Sequence, residues 1–280
     1  RIGRQYGDNC AYGAAFNRGK RSLALNLKDP DGLAIAKRLA KEADIILENY
    51  RPGVLKKFGL DYESVIQENP TVVFLSITGF GQTGPKSRLP ATDSVMQAFS
   101  GLMSVNKESN GMPMRVGMLA IDVSTGLYAF QAVAPAIYRR AMQGKGQHIT
   151  TSLMESVGAF QAAKMIEFVL EGPEVQSPGV PVGTFQGKDG FININGRRDS
   201  HFEALCEFIG KPEWASDPRF ATVESRFEHE AELMPMLREI VADYTVADLN
   251  KALNEADVLN GPVNDYGNYF EDAHVKEVEA

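Results

Sequence analysis

Residues 71–77, Thr71-Val72-Val73-Phe74-Leu75-Ser76-Ile77, decide how the rest of the chain is read. Pro70 leads into this run and Gly79 follows it. A short stretch rich in β-branched and aromatic side chains between such breakers predicts a strand. Upstream, Asp29-Pro30-Asp31-Gly32 is a turn and helix-start signal, and behind it Leu33, Ile35, Ala36, Leu39 and Ala40 recur at helical spacing. Ile45-Ile46-Leu47 predicts a short buried parallel strand, closed by the loop Glu48-Asn49-Tyr50-Arg51-Pro52-Gly53. Short helices are predicted over 54–58 and 62–68. Strand and helix alternate, which predicts βαβ units and a mostly parallel, Rossmann-like sheet of the α/β class. Before them, residues 22–27 alternate in character and predict an edge strand.

Downstream, a Gly- and Pro-punctuated loop over 79–89 leads to a helix predicted over 92–103. Residues 122–143 are strongly helical, with Leu127, Phe130, Ala134, Ile137 and Ala141 on one stripe. Gly144-Lys145-Gly146-Gln147 stops that helix, a strand is predicted over 149–153, and a further helix over 154–170. Pro173, Pro178 and Pro181 mark a linker, taken as residues 173–180 between a large domain, 1–172, and a small domain, 181–280. In the small domain a strand is predicted over 190–195 and helices over 200–209, 229–243 and 246–255, an α+β pattern. Residues 271–280 read as a helix or linker cut in mid-course, and Arg1 opens the chain without a leader pattern. Both ends are therefore expected to be incomplete.

The 280 residues are 44% hydrophobic and 23% charged, the balance of a well-packed globular chain of about two domains. The longest apolar run, 127–138, contains Gln131 and Pro135 and falls short of the ~18 residues of a membrane span, so no membrane role is expected. A net charge of −7 argues against nucleic acid as a partner. Two cysteines, Cys10 and Cys206, form no disulfide framework or metal pattern, which points to a reducing, cytoplasmic setting.

Gly79-Phe80-Gly81-Gln82-Thr83-Gly84 matches G-x-G-x-x-G after a strand. A dinucleotide site needs that turn to open into a helix, and Pro85 and Pro90 prevent it, so no nicotinamide cofactor is expected. Gly79, Gly81 and Gly84 instead suggest a mobile loop over a pocket. Gly144-Lys145-Gly146 reads as a helix C-cap. His148, His201, His229 and His274 stand apart from one another and from the cysteines, so no metal is expected. No G-x-S-x-G elbow occurs. Asn17-Arg18-Gly19-Lys20-Arg21 could hold phosphate or be a solvated turn. Asn49-Tyr50-Arg51 stands at the carboxyl end of a predicted parallel strand, where α/β sheets place ligands. It offers an amide, an aromatic face and a guanidinium, with Lys57 one turn on. Asp122 opens the long helix through Asp122-Val123-Ser124-Thr125-Gly126. It can be an ordinary N-cap, or an ionised carboxylate able to attack a thioester carbonyl. Local sequence leaves both readings open.

Taken in order, Asn17-Arg18-Gly19-Lys20-Arg21-Ser22, Glu48-Asn49-Tyr50-Arg51-Pro52-Gly53, Ser76-Ile77-Thr78-Gly79-Phe80-Gly81, Asp122-Val123-Ser124-Thr125-Gly126 and Gly144-Lys145-Gly146-Gln147 resemble the class III CoA-transferases, the CaiB/BaiF family that includes formyl-CoA and carnitine CoA-transferases. The resemblance implies that Asp122 is a nucleophile passing through acyl-aspartyl anhydride and aspartyl-CoA intermediates. It implies coenzyme A contacts from Leu25, Lys28, Asn49, Tyr50, Arg51, Lys57, Leu89, Pro90, Ala91 and Thr92, with the 79–84 loop as a lid. It further implies acyl-CoA and a small carboxylic acid as substrates and an interlocked homodimer. Pro90 replaces a basic residue of some relatives, and the glycine-rich run of formyl-CoA transferase has no counterpart over 183–195, which speaks against oxalate or formate. The α-methylacyl-CoA racemases share this fold, but Ala91-Thr92-Asp93 stands where they carry a His-Asp pair. A CoA-binding protein without turnover is the remaining alternative.

Overall fold

The structure, a computed structural model, describes residues 3–108, 110–173 and 179–279. The chain divides into two units, residues 1–173 and 174–280. Residues 174–178, most of the expected linker and Pro178 with it, lie outside the described residues.

The first unit opens with a two-stranded hairpin, β1 (Gln5–Tyr6) and β2 (Asn9–Cys10), followed by α1 (Ala11–Phe16). Residues 22–27 form no strand, contrary to expectation. They lead toward α2 (Pro30–Glu42), where the Asn26 carbonyl presses against Gly32 so closely that a Cβ there would stand 2.4 Å from it. Asp29 caps α2 through the N–H groups of Asp31 and Gly32, as the sequence pattern requires.

β3 (Ile45–Glu48), β4 (Val73–Thr78) and β5 (Gln147–Ser152) form a parallel sheet in the order β3-β4-β5, with Ile45 paired to Val73 and Val73 to Gln147. Between them lie a 3-10 turn (Leu55–Phe58), α3 (Tyr62–Glu68), α4 (Asp93–Phe99), α5 (Leu102–Val105) and α6 (Ala120–Gln143). β4 is central, and its alternate side chains enter two cores. Val73 and Leu75 pack against Ala129, Val133 and Ala136 of α6, while Phe74, with Val72 just ahead of the strand, packs against Val65 of α3. β3 corrects the sequence expectation. It is an edge strand, and Ile45 and Leu47 are 40% and 60% exposed because α6 covers β4 and β5 and stops short of them.

Three helices differ from their predicted form. The stretch 92–103 breaks into α4 and α5 at Gly101, whose φ of 84° is left-handed. The stretch 154–170 becomes α7 (Leu153–Phe160) and α8 (Ala162–Glu171), separated at Gln161, whose side-chain amide donates to the Ser100 carbonyl at 2.7 Å. On α6, the predicted stripe of Leu127, Phe130, Ala134, Ile137 and Ala141 faces outward. The buried side is Ile121, Ser124, Thr125, Ala129, Val133 and Ala136, small enough for the helix to close on the sheet. Gly144 ends α6 with φ 65°, as read.

The second unit is α+β. β6 (Val182–Gln186), β7 (Phe191–Asn195) and β8 (Leu259–Pro262) make an antiparallel sheet in that order. Its buried face joins α9 (Asp199–Phe208), α11 (Glu230–Val241) and α12 (Val246–Glu255) in one core around Phe185, Ile192, Leu205, Leu237 and Leu249. α10 (Val223–Glu228) places Arg226 wholly inside, where it donates to the Val180 and Phe220 carbonyls and to Asp199. α13 (Tyr266–Glu271) and α14 (Ala273–Glu277) close the described chain.

Candidate active site

At the carboxyl end of β4, the loop after β3 and the starts of α4, α6 and α7 surround a cleft of about 570 Å³. This is where a parallel sheet is expected to hold a ligand. The cleft gathers Asn49, Tyr50, Arg51, Gly79, Leu89, Pro90, Ala91, Thr92 and Asp122, all named from the sequence. Leu25, Lys28, Lys57, Gly81 and Gly84 do not line it. Leu25 is half-buried and Lys28 exposed in the segment leading to α2; Lys57 is exposed on the 3-10 turn.

Each loop is fastened by bonds that cost it some freedom. Asn49 donates its side-chain amide to the Ile77 carbonyl at 2.8 Å, which ties the β3 loop to β4 and leaves its oxygen for a ligand. The Tyr50 N–H donates to Glu48 at 2.8 Å, and the Tyr50 ring is 53% exposed. The Gly79 carbonyl accepts from the Met154 N–H, and the Gly81 N–H donates to Thr78 Oγ1. Residues 85–92 form no helix, so the G-x-G-x-x-G run does not open into one; α4 begins at Asp93.

Asp122 is not the helix N-cap that one reading of the sequence allowed. α6 starts at Ala120, its N-cap position is Leu119 with no side-chain bond, and Asp122 lies in the first turn. The cap comes from another helix. Asp93, 4% exposed on α4, accepts from the Ile121 and Asp122 N–H groups at 2.7 and 3.1 Å. Among the described residues, the Asp122 carboxylate has no hydrogen-bond or ion-pair partner. Desolvation and, after it, the Asp93 charge raise its pKa above the usual carboxylate value.

Arg115, Ser87 and Leu119 also line the cleft and were not singled out from the sequence. Arg115 precedes an apolar stretch, which gives it no motif. The guanidinium groups of Arg51 and Arg115 meet no carboxylate among the described residues. No histidine lines this cleft. His148 sits in a smaller cavity of about 340 Å³, its Nε2 3.0 Å from Ser76 Oγ and its ring stacked on Tyr62, where burial lowers its pKa. A third cavity, about 560 Å³ between α2 and α3, is lined by Lys37, Arg38, Lys41 and Glu68 and has its Lys41 paired to Glu68 at 2.9 Å. It holds no cysteine, serine–histidine pair or unpaired carboxylate; the first cleft, which sets the Asp122 carboxylate beside Arg51 and Arg115 at the carboxyl end of the sheet, is the candidate centre.

The sequence pattern described as CoA-transferase family III matches residues 2–280. The chain is 35% identical over 274 residues to the succinate–glutarate CoA-transferase of Agrobacterium fabrum, covering 96% of this chain and 68% of that one. It is 35% identical over 266 residues to the acetyl-CoA:oxalate CoA-transferase of Acetobacter aceti, covering 92% and 68%. The crystal structure of a CaiB/BaiF family protein from Brucella suis superposes with a TM-score of 0.81 at 34% identity, covering 92% of this chain and 70% of that one.

Proposed function

Because the chain belongs to CoA-transferase family III, we propose that it moves coenzyme A from an acyl-CoA thioester to a small carboxylic acid, with Asp122 as the nucleophile. The carrying observation is a carboxylate, unpaired among the described residues and of raised basicity, in a cleft that also presents two guanidinium groups. An Asp122 oxygen attacks the thioester carbonyl and expels the CoA thiolate, leaving an acyl-aspartyl anhydride. The thiolate then attacks the Asp122 carbonyl of that anhydride and releases the donor acid, which leaves aspartyl-CoA. The acceptor carboxylate displaces the thiolate from aspartyl-CoA, giving a second anhydride. Attack of the thiolate on its acyl carbonyl releases the new acyl-CoA and restores Asp122. An activated acyl bond persists throughout, so no nucleotide is consumed, and excluding water is the main demand on the cleft.

Asn49, Tyr50, Arg51 and the 89–92 segment are assigned to coenzyme A, and the larger unit carries all of them. Arg115 supports short dicarboxylic acids as the carboxylate substrates, since a guanidinium forks onto a carboxylate. Gly81 and Gly84, with φ of 95° and 88°, give the segment beside the cleft the freedom to close. Cys10 and Cys206 are unpaired, which suits a reducing cytoplasm.

The test uses the protein in its full gene-encoded length, incubated with succinyl-CoA, acetyl-CoA and oxalyl-CoA in turn and quenched with hydroxylamine or borohydride. Peptide mass mapping is expected to show a change on the peptide carrying Asp122, absent from Asp122→Ala. Exchange of an α-proton for deuterium without any adduct would replace this reading with a racemase. Bound CoA with neither signal would leave a binding protein.

A further inference from the structure

An aspartate in the first turn of a helix is normally drawn back onto the free N–H groups of that turn. On α6 two of those donors, the Ile121 and Asp122 N–H groups, are already taken. Asp93 Oδ2 accepts from Ile121 and Asp122, while its Oδ1 accepts from Gln97 Nε2 at 2.6 Å. Gln97 is itself fully buried, and its Oε1 accepts from the Val116 N–H at 2.8 Å. Two side chains one turn apart on α4 thus grip the backbone from Val116 to Asp122, the segment flanked by Arg115 and ending at Asp122. A local cap would be far cheaper than this. A Ser, Thr or Asn at position 119 would satisfy the same donors without burying a carboxylate that has no cation paired to it among the described residues. The chain has Leu119 there instead.

We infer that Asp93, held by Gln97, is a positioning residue for Asp122: it occupies the donors at the start of α6 so that the Asp122 carboxylate reaches into the cleft unbonded. This rests on Asp122 being the nucleophile. A carboxylate relieved of hydrogen bonds is more basic and more nucleophilic, and a fixed negative charge close by works in the same direction. The ionisable groups around Asp122 in the cleft are Asp93, Arg51, Arg115 and Tyr50. Glu155, on the adjoining α7, is engaged by Ser152 Oγ at 2.8 Å.

The swap Asp93→Asn with Gln97→Glu separates support from electrostatics. The amide introduced at position 93 can still accept from the α6 donors through its oxygen and can donate to the carboxylate introduced at position 97. That carboxylate can still accept from the Val116 N–H, so these contacts survive while the charge moves one turn along α4, and only the long 3.5 Å bond from Gln97 Nε2 to the Met118 carbonyl is given up. The full-length protein, labelled with aspartate bearing carboxyl carbon-13, is titrated by NMR, with the Asp122 signal assigned through Asp122→Asn. The Asp122 titration is expected to move to lower pH in Asp93→Asn and in the double swap, and to higher pH in Gln97→Glu alone. With succinyl-CoA as donor, Asp93→Ala is expected to lower kcat by about a hundredfold, the size of a small misplacement of a reacting group, with a much smaller change in KM. The double swap is expected to recover more of kcat than Asp93→Ala. An Asp122 titration unmoved in the double swap, or full kcat in Asp93→Ala, overturns the inference. The predicted titration shifts in a protein that forms no Asp122 adduct would support the positioning and overturn the transferase reading.

Discussion

In the proposed reaction Asp122 attacks as the carboxylate, and its surroundings shift it toward the protonated form. Desolvation first and the Asp93 charge second push its pKa up. The acid limb of kcat/KM is therefore expected at higher pH than for an unperturbed aspartate, with activity rising as Asp122 loses its proton and levelling off once it is ionised. The same shift has a consequence for stability. With the folded pKa above the unfolded one, the two states bind protons alike at low pH. As pH rises through the window between those values, the unfolded state ionises first, so Asp122 comes to favour unfolding. Asp122→Asn should accordingly melt at a higher temperature than wild type at pH 7, and the gap should close in acid. A thermal melt series across pH checks this; a gap that widens in acid would contradict the raised pKa. Arg115 makes a second prediction at this scale. Arg115→Ala should raise KM for a dicarboxylate acceptor by roughly tenfold or more, the value of a hydrogen bond to a charged group, and leave the Asp122 adduct able to form. Equal KM values would remove Arg115 from acid binding. Asp122 and the Asn49-Tyr50-Arg51 loop were legible because each sits at the end of a readable element. The Asp93–Gln97 grip was not, since its bonds to backbone 19 to 29 residues away have no trace in local sequence.

Elements meet at the cleft through contacts that one methyl group would spoil. A Cβ on Gly79 would stand 2.3 Å from the Ala91 Cβ, so the end of β4 and the approach to α4 touch with no room between them. Gly79→Ala should therefore destabilise the fold by about 1–3 kcal/mol, the usual cost of overpacking, and lower activity by moving the 89–92 segment. Ala91→Gly in the same chain should restore most of that loss, because it removes the opposing methyl. Urea unfolding of both singles and the double completes the cycle; additive losses would show that the two positions do not meet. The order of elements was legible from apolar runs and breakers, while their partners were not. β3 carries the composition of a buried strand and lies on an edge. The large apolar residues of α6 made the wrong face look like the core, since Ala129, Ala136 and Ser124 signal little by hydrophobicity alone. β6 and β8 went unread because Gly183, Asn260, Gly261 and Pro262 dilute the strand signal.

At the scale of the molecule, the same misread stripe becomes informative. In the larger unit, α6 exposes Leu127, Phe130, Tyr138 and Met142, each more than 60% accessible, and α8 exposes Phe168, Val169 and Leu170. Single exposed apolar side chains are ordinary, but two helices presenting several each exceed what a soluble surface keeps uncovered without use. A second copy of the chain is the occupant we propose, in keeping with the interlocked homodimer that the family resemblance implies. A homodimer interface is itself an apolar surface, and the net charge of −7 opposes non-specific association of two copies. Sedimentation of the full-length protein at micromolar concentration should give a dimer. Phe130→Glu should shift it to monomer by setting a charge in the middle of that stripe, while the isolated carboxylate chemistry at Asp122, which that helix face does not touch, would report whether assembly is needed to keep water out. A wild-type protein that sediments as a monomer would refute the dimer, and a Phe130→Glu dimer would place the interface elsewhere.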